Sequence, residues 1–230
     1  MKLFHRLAGI LAAFCLMIVL FVTSVEAVVY WTPGYFEQEY TKYNVLDQLP
    51  SMTMEDLLDV TDEMMDYLKG KREDLHVTTV MGGEEREFFN AREIAHMEDV
   101  QVLFLKAMSL RRICLSICIL CLALLLITKA PVRRVLPPSI CIGTGLFFGI
   151  TAVLAGIISS NFSKYFVIFH HIFFDNDLWI LDPATDMLIN IVPEGFFMDT
   201  AARIGLLFGI SSAVLFGLCL FLTLRGRRRA

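Results

Sequence analysis

The polar parts of this 230-residue chain contain no cysteine: Cys15, Cys114, Cys118, Cys121, Cys141 and Cys219 all fall inside long hydrophobic runs. Disulfides therefore cannot staple the polar loops, whatever redox compartment those loops face. The runs in turn hold almost no charge, which argues against a proton relay or ion pathway through them. There is no Gly-x-Ser-x-Gly, no phosphate loop, no dinucleotide fingerprint and no His-Glu-x-x-His. With no cysteine nucleophile outside the runs either, covalent catalysis is not suggested. Repeats and low-complexity tracts are absent, and no basic cluster belongs to a soluble surface, so nucleic acid is excluded as a partner.

What is present is apolar. A mean hydropathy of +0.62 and 56% hydrophobic residues exceed what a soluble domain carries, and the apolar residues are bunched into four stretches. About 20 residues cross the roughly 30 Å hydrocarbon core, which predicts four spans at about 7–28, 108–128, 136–159 and 203–224. The second is shortest and is expected to extend past Arg111 and Arg112, whose side chains can snorkel. Lys2, Arg6, Lys129, Arg133, Arg134, Arg225, Arg227, Arg228 and Arg229 fall on one side if the spans alternate, with no acid among them. That side is read as cytoplasmic, with both termini and a loop at 129–135. Loops at about 29–107 and 160–202 carry most of the acids and face outward, so a net charge of −4 conceals a strong asymmetry. The first run resembles a signal peptide but has too long an apolar core, and is read as an uncleaved anchor. The expected fold is an all-α membrane protein: one membrane domain over 1–230, with four transmembrane helices and a mainly helical extracellular cap.

Within the first outer loop, 51–69 reads as a helix with Thr53 and Asp56 as a capping pair and an apolar stripe of Met54, Leu57, Leu58, Met65 and Leu68; Gly70 stops it. Residues 75–80 suggest a short strand running into a turn at Gly82-Gly83. A helix from about Asn90 should continue into the second span. The second outer loop is dense in Phe166, Phe169, Phe173, Phe174 and Trp179, as expected of a segment lying flat at the headgroup level, with turns at 182–186 and near Pro193. Cys114, Cys118 and Cys121 recur at helical spacing but lack a fourth polar ligand, and read as small packing residues.

Two histidine segments carry the chemistry. On a helix, Glu93, His96 and Asp99 or Val100 share a face, so carboxylates flank an imidazole. Such neighbours raise proton affinity and fix the tautomer, as a general base requires, although ordinary surface charge pairs have the same spacing. Glu93-x-x-His96 is also half of a carboxylate-bridged metal site, but the other half is missing. His170 and His171 are adjacent and fall on different faces of any helix; Asp175, Asn176, Asp177 and Trp179 supply imidazole orienters and a donor for an oxyanion. His5 reads as a flank, and His76 has no clustered partner.

These segments, Arg92-Glu93-x-x-His96-Met97-x-Asp99-Val100 and Phe169-His170-x-x-Phe173-Phe174-x-Asn176-Asp177-x-Trp179-x-x-Asp182-Pro183 followed by Pro193-Glu194-x-Phe196-Phe197, together with the span layout, resemble the bacterial lipoprotein intramolecular transacylases of Gram-positive cell membranes. The resemblance covers essentially the whole chain. It implies that His96 and His170 are the essential histidines, and Glu93, Asp99, Arg92, Asn176, Asp177 and Trp179 are read beside them as supporting residues. It also implies transfer of the sn-2 acyl chain of a diacylglyceryl-cysteine to the α-amino group of that cysteine, giving an N-acyl lyso-lipoprotein. The implied partners are diacylated lipoproteins and membrane lipid, no cofactor is implied, and the site would face outward. His96 is then expected to deprotonate the amine and His170 to donate to the oxyanion or leaving oxygen, with the roles exchangeable. A non-catalytic membrane adaptor or sensor, or an interfacial lipid hydrolase, would use the same loops differently.

Overall fold

The computed structural model describes residues 2–228; Arg229, the last residue of the basic tail, lies outside them. The chain order is α1 (Lys2–Trp31), α2 (Tyr35–Lys42), a 3-10 turn (Val45–Gln48), α3 (Met54–Leu68), β1 (Thr78–Met81), β2 (Glu84–Glu87), α4 (Ala91–Ile127), α5 (Val132–Ser160), α6 (Phe162–Phe173), α7 (Met187–Ile191) and α8 (Glu194–Arg228). Among the described residues four helices, α1, α4, α5 and α8, are long and apolar enough to cross a membrane. The protein is an all-α membrane protein apart from one hairpin. The described residues resolve into two compact units, one of residues 2–28, 108–160 and 202–228 and one of 29–107 and 161–201.

In the first, apolar unit, small residues let helices approach closely. A Cβ on Gly143 of α5 would lie 2.9 Å from Ala13 Cβ of α1, and one on Gly9 would lie 2.7 Å from Ser139 Oγ. Gly9 and Ala13 on one helix and Ser139 and Gly143 on the other thus form a pair of small-xxx-small faces, the usual membrane substitute for hydrophobic association. Phe14 meets Phe147 at 5.0 Å and Phe21 meets Phe208 edge-on at 5.6 Å. The six cysteines are all free, and Cys118 Sγ donates to the Ala12 carbonyl at 3.3 Å, consistent with a packing role. The Arg111 guanidinium is paired with the Glu26 carboxylate, which is 9% exposed. In an apolar surrounding a paired charge costs less than a lone one, which fits this pairing.

The polar unit confirms several local expectations. Thr53 and Asp56 form a reciprocal capping box on α3, whose stripe is broader than expected, since Val60, Thr61, Met64 and Tyr67 are buried as well. Gly70 follows the helix at φ +73°. The strand expected at 75–80 is β1, shifted slightly later, and it has an antiparallel partner with Met81 opposite Glu84. Gly82 and Gly83, at φ +67° and +85°, make the two-residue turn that matches strand twist. α2, β2 and α6 were not anticipated, and α6 is a regular helix capped by the Asn161 side chain, which accepts from Lys164 N–H at 3.1 Å. α2 is held by aromatic packing, with Phe36 stacked on Phe196 at 5.9 Å and Tyr35 edge-on to it at 5.8 Å.

Candidate active site

The site is built from the first turns of α4, the end of α6 and the loop 174–188. Asn90 caps α4: its Oδ1 accepts from the backbone N–H groups of Arg92 at 2.9 Å and Glu93 at 3.1 Å, and Glu93 Oε2 accepts from Asn90 N–H at 2.8 Å. The second Glu93 oxygen accepts from Leu188 N–H at 2.5 Å, and Asn90 Nδ2 donates to Asp186 Oδ1 at 2.7 Å. Asp186 in turn accepts from Asp182 N–H at 2.7 Å across the expected turn. A single capping motif therefore ties the helix start to a loop about a hundred residues away. Glu93 is completely buried, and burial, aided by the charge of Asp186, holds its carboxyl above the ordinary range against the pull of these N–H donors.

One turn further along α4 is His96, 6% exposed, in the part of the helix that precedes the apolar run beginning near Met108. His170, 7% exposed, sits in the last turn of α6. The two imidazole centroids lie 6.1 Å apart at 35°. Phe174 packs edge-on to His96 at 5.4 Å, Phe166 lies 4.2 Å from His170, and Trp179 stacks on His170 at 4.8 Å and 30°. His171 is exposed and meets only the edge of Trp179, at 5.1 Å and 86°. Of the adjacent pair, the helix brings His170 to His96 and turns His171 away.

The remaining expected residues act as clamps between α4 and the loop. Asn176 Nδ2 donates to Asp99 Oδ2 at 2.8 Å, and the Arg92 guanidinium donates to the Asp177 carbonyl. Glu93 does not hydrogen-bond His96, because its oxygens are taken by backbone donors. The expected carboxylate support for His96 is correspondingly outweighed. Burial, followed by the neighbouring His170, pushes the His96 pKa down to about 4, with Arg92 adding to this and Asp99 alone opposing it. His170 is also lowered, by burial and by His171, while the Phe166 carbonyl opposes. Both rings are neutral near pH 7.

Their hydrogen bonds differ. His170 Nδ1 lies 2.7 Å from the Phe166 carbonyl, and a carbonyl only accepts, so Nδ1 carries the proton and Nε2 the lone pair. His96 Nδ1 is buried with no partner, as is Trp179 Nε1. Two unpartnered nitrogens in one aromatic enclosure are costly, about 1–3 kcal/mol each, unless a ligand supplies the missing bonds. Sequence reasoning named Phe174 only as an interfacial aromatic and Asn90 only as a helix start, and missed Asp186 and Leu188 as site residues. The pattern Asn90-x-x-Glu93 was a readable capping signal, and Phe174 lies one turn beyond His170.

A multi-pass helical membrane protein whose polar unit encloses a pair of neutral imidazoles, and which carries no serine-hydrolase or cysteine nucleophile motif, has the make-up of an integral-membrane enzyme. Residues 10–197 match the family described as lipoprotein intramolecular transacylase Lit, and the chain belongs to that family; it is an acyltransferase. The solved structure of the membrane-integral lipoprotein intramolecular transacylase Lit from Bacillus cereus superposes with a TM-score of 0.81 at 24% identity, over 100% of both chains. Two structures of the same Bacillus cereus protein, with a histidine replaced by arginine or by alanine, each give 0.78 at 25% identity, covering 100% of this chain and 96% or 97% of theirs. No curated protein matches the chain.

Proposed function

We propose that this protein transfers the sn-2 acyl chain of a diacylglyceryl-cysteine lipoprotein to the α-amino group of the same cysteine, with His170 as the base and His96 as an N–H donor. The observation that carries this reading is the buried pair itself: two imidazoles 6.1 Å apart, one with its Nδ1 held by a backbone carbonyl and one with an unpartnered nitrogen. The amine, with a pKa of about 8, reaches its neutral form readily and attacks the ester carbon. His170 Nε2 accepts the proton released from nitrogen as the new C–N bond forms. The same imidazolium then protonates the glyceryl oxygen as the C–O bond breaks, leaving an amide and a free sn-2 hydroxyl.

His96, held neutral well below the usual histidine range, is a weak base but a good neutral donor. A lowered pKa keeps imidazole, rather than imidazolium, at a developing oxyanion, the role a neutral histidine plays in other enzymes. The Trp179 indole N–H is a second buried donor for the same charge. Because nucleophile and ester belong to one substrate, positioning supplies much of the rate, and no enzyme nucleophile is needed. This assignment exchanges the roles expected from sequence.

The reading places the spans at about 7–28, 108–128, 136–159 and 203–224, with the polar unit on the extracellular side and the basic loop 129–135 in the cytoplasm, in keeping with the charge asymmetry. α6 and its phenylalanines would lie at the headgroup level, where diacylated substrate and membrane lipid meet. Mass spectrometry of a lipoprotein N-terminus from cells carrying His96→Ala, His170→Ala or His171→Ala tests it. The N-acyl lyso form should vanish with the first two and persist with the third; its persistence in the first two would remove the assignment.

A further inference from the structure

The two imidazoles offer no counter-charge to the group they have to receive. The N-terminus of a lipoprotein is an ammonium with a pKa of about 8 and is mostly cationic near pH 7, whereas both rings are neutral there and Arg92 adds positive charge beside His96. Most acids of the two site segments are committed or face water. Glu93 is taken by the backbone N–H groups of Asn90 and Leu188, Asp186 by Asn90, Asp182 and Thr185, and Glu98, Asp175, Asp177 and Asp182 are exposed. Asp99 differs from all of these. It is half-buried and follows His96 by three residues on the same face of α4, about 4.5 Å along the axis toward the apolar run. Its Oδ2 accepts from Asn176 Nδ2 at 2.8 Å, and Asn176 Oδ1 accepts from Leu178 N–H at 3.1 Å. The amide is thus oriented by the loop that also brings Phe174 to His96 and Trp179 to His170. A clamp of this kind needs one neutral acceptor. Among the described residues Asp99 Oδ1 makes no hydrogen bond, so the second oxygen and the charge are left over.

We propose that Asp99 Oδ1 binds the α-ammonium of the lipidated cysteine and so holds the nucleophile beside the imidazole pair. The assignment rests on the acyl-transfer reading and adds the group that recognises the free amine. The protons balance. Of the three N–H groups of the bound ammonium, one gives its proton to water, which frees the lone pair for attack. A second proton passes to His170 Nε2 as the C–N bond forms, and the third stays on nitrogen as the amide N–H, still directed at Asp99. A charge-assisted bond is stronger than a neutral one, and here it exists only with substrate, because the amide nitrogen of the product carries no charge. Asp99 therefore favours the free amine over the N-acyl form, and the loss of the pair on acylation helps the product to leave.

The test uses an ether-linked dialkylglyceryl-cysteine peptide, which has no acyl chain to transfer, with its amine free or acetylated, and measures its binding to the full-length protein in lipid vesicles. Wild type should bind the free amine about tenfold more tightly than the acetylated form at pH 7, the worth of a hydrogen bond to a charged group. At pH 9.5 the amine is neutral, and the preference should fall to about twofold or less. The groups around Asp99 hold their charge across that window. His96 and His170 are already lowered from the usual histidine range, Arg92 stays charged, and Tyr67 of α3, whose carbonyl accepts from Gln101, is raised above the usual tyrosine range. Asp99→Asn keeps an acceptor for Asn176; it should erase the preference at pH 7 and leave the acetylated form bound within about twofold of wild type. Equal weakening of both forms by Asp99→Asn, or a wild-type preference that persists unchanged at pH 9.5, overturns the assignment. Conversion of the ester-linked peptide by a wild type that ignores the free amine in binding removes Asp99 alone. If wild type does not convert the ester-linked peptide, the acyl-transfer reading falls and the assignment falls with it.

Discussion

Two helices of the polar unit begin with the same device and use it for different ends. At α3, Thr53 and Asp56 cap each other on an exposed surface, and the two Thr53 donors, hydroxyl then backbone N–H, hold the Asp56 carboxyl below its usual range. At α4, Asn90 and Glu93 make the same exchange, but Glu93 is buried, its second oxygen reaches Leu188, and its carboxyl is raised. The first box only starts a helix. The second starts a helix and also fixes a distant loop over the histidine that follows one turn later. Burial, and not the motif, separates a local cap from a positioning element.

The largest expected effect comes from the chemistry the second box positions. His170→Ala should lower the rate of N-acyl product formation about 10²- to 10⁴-fold, the usual worth of a general base, as measured by mass spectrometry of a lipopeptide in vesicles. Glu93→Ala should come next. It strands the N–H groups of Leu188 and Asn90, and a cost of about 3 kcal/mol in thermal unfolding, accompanied by loss of product, is expected. Unchanged stability would place the two boxes in the same class. Trp179→Phe keeps the stack on His170 and removes the N–H, and a fall of about 10²-fold in kcat with KM held is the expected signature of an oxyanion donor.

A smaller effect concerns pH. The folded His96 pKa of about 4 lies below the unfolded value near 6.5, so between these the unfolded chain binds more protons. The His96 contribution is thus complete above about pH 6.5 and is lost as pH falls toward 4; the raised Glu93 carboxyl works in the opposite direction over the acid range. His96→Gln should flatten the fall in melting temperature over that window, and an unaltered slope would contradict the neutral assignment. The smallest expected effect is Thr53→Ala, about 1 kcal/mol of stability with product formation intact. Loss of product there would erase the contrast between the boxes.

The chain announced its spans through long uncharged runs, and α3 through its capping pair, because both signals are local. The hairpin was only half legible: the stretch leading into β1 carries the buried Leu75 and Val77, but β2 is Glu84-Glu85-Arg86-Glu87, with nothing to bury, and is specified by the glycine turn instead. α6 was hidden because its density of phenylalanines reads as a flat interfacial segment, which draws attention away from the polar stripe of Ser163, Lys164, His170 and His171. His96 and His170 were legible through motif resemblance, yet their approach was not, since it depends on contacts across more than seventy residues. Glu93 was assigned to the wrong neighbour for the same reason. Its partner, Leu188 N–H, is a backbone group, and backbone groups carry no sequence signature.

The bond from His170 to the Phe166 carbonyl also has an electrostatic meaning. Position 170 is in the last turn of α6, where the helix presents the negative end of its macrodipole. A ring there that takes up a proton during transfer is stabilised by aligned peptide groups, the work an aspartate does in a serine-protease triad. The base thus borrows its counter-charge from the backbone, and a proline introduced into the last turn of α6 should weaken it without touching either imidazole.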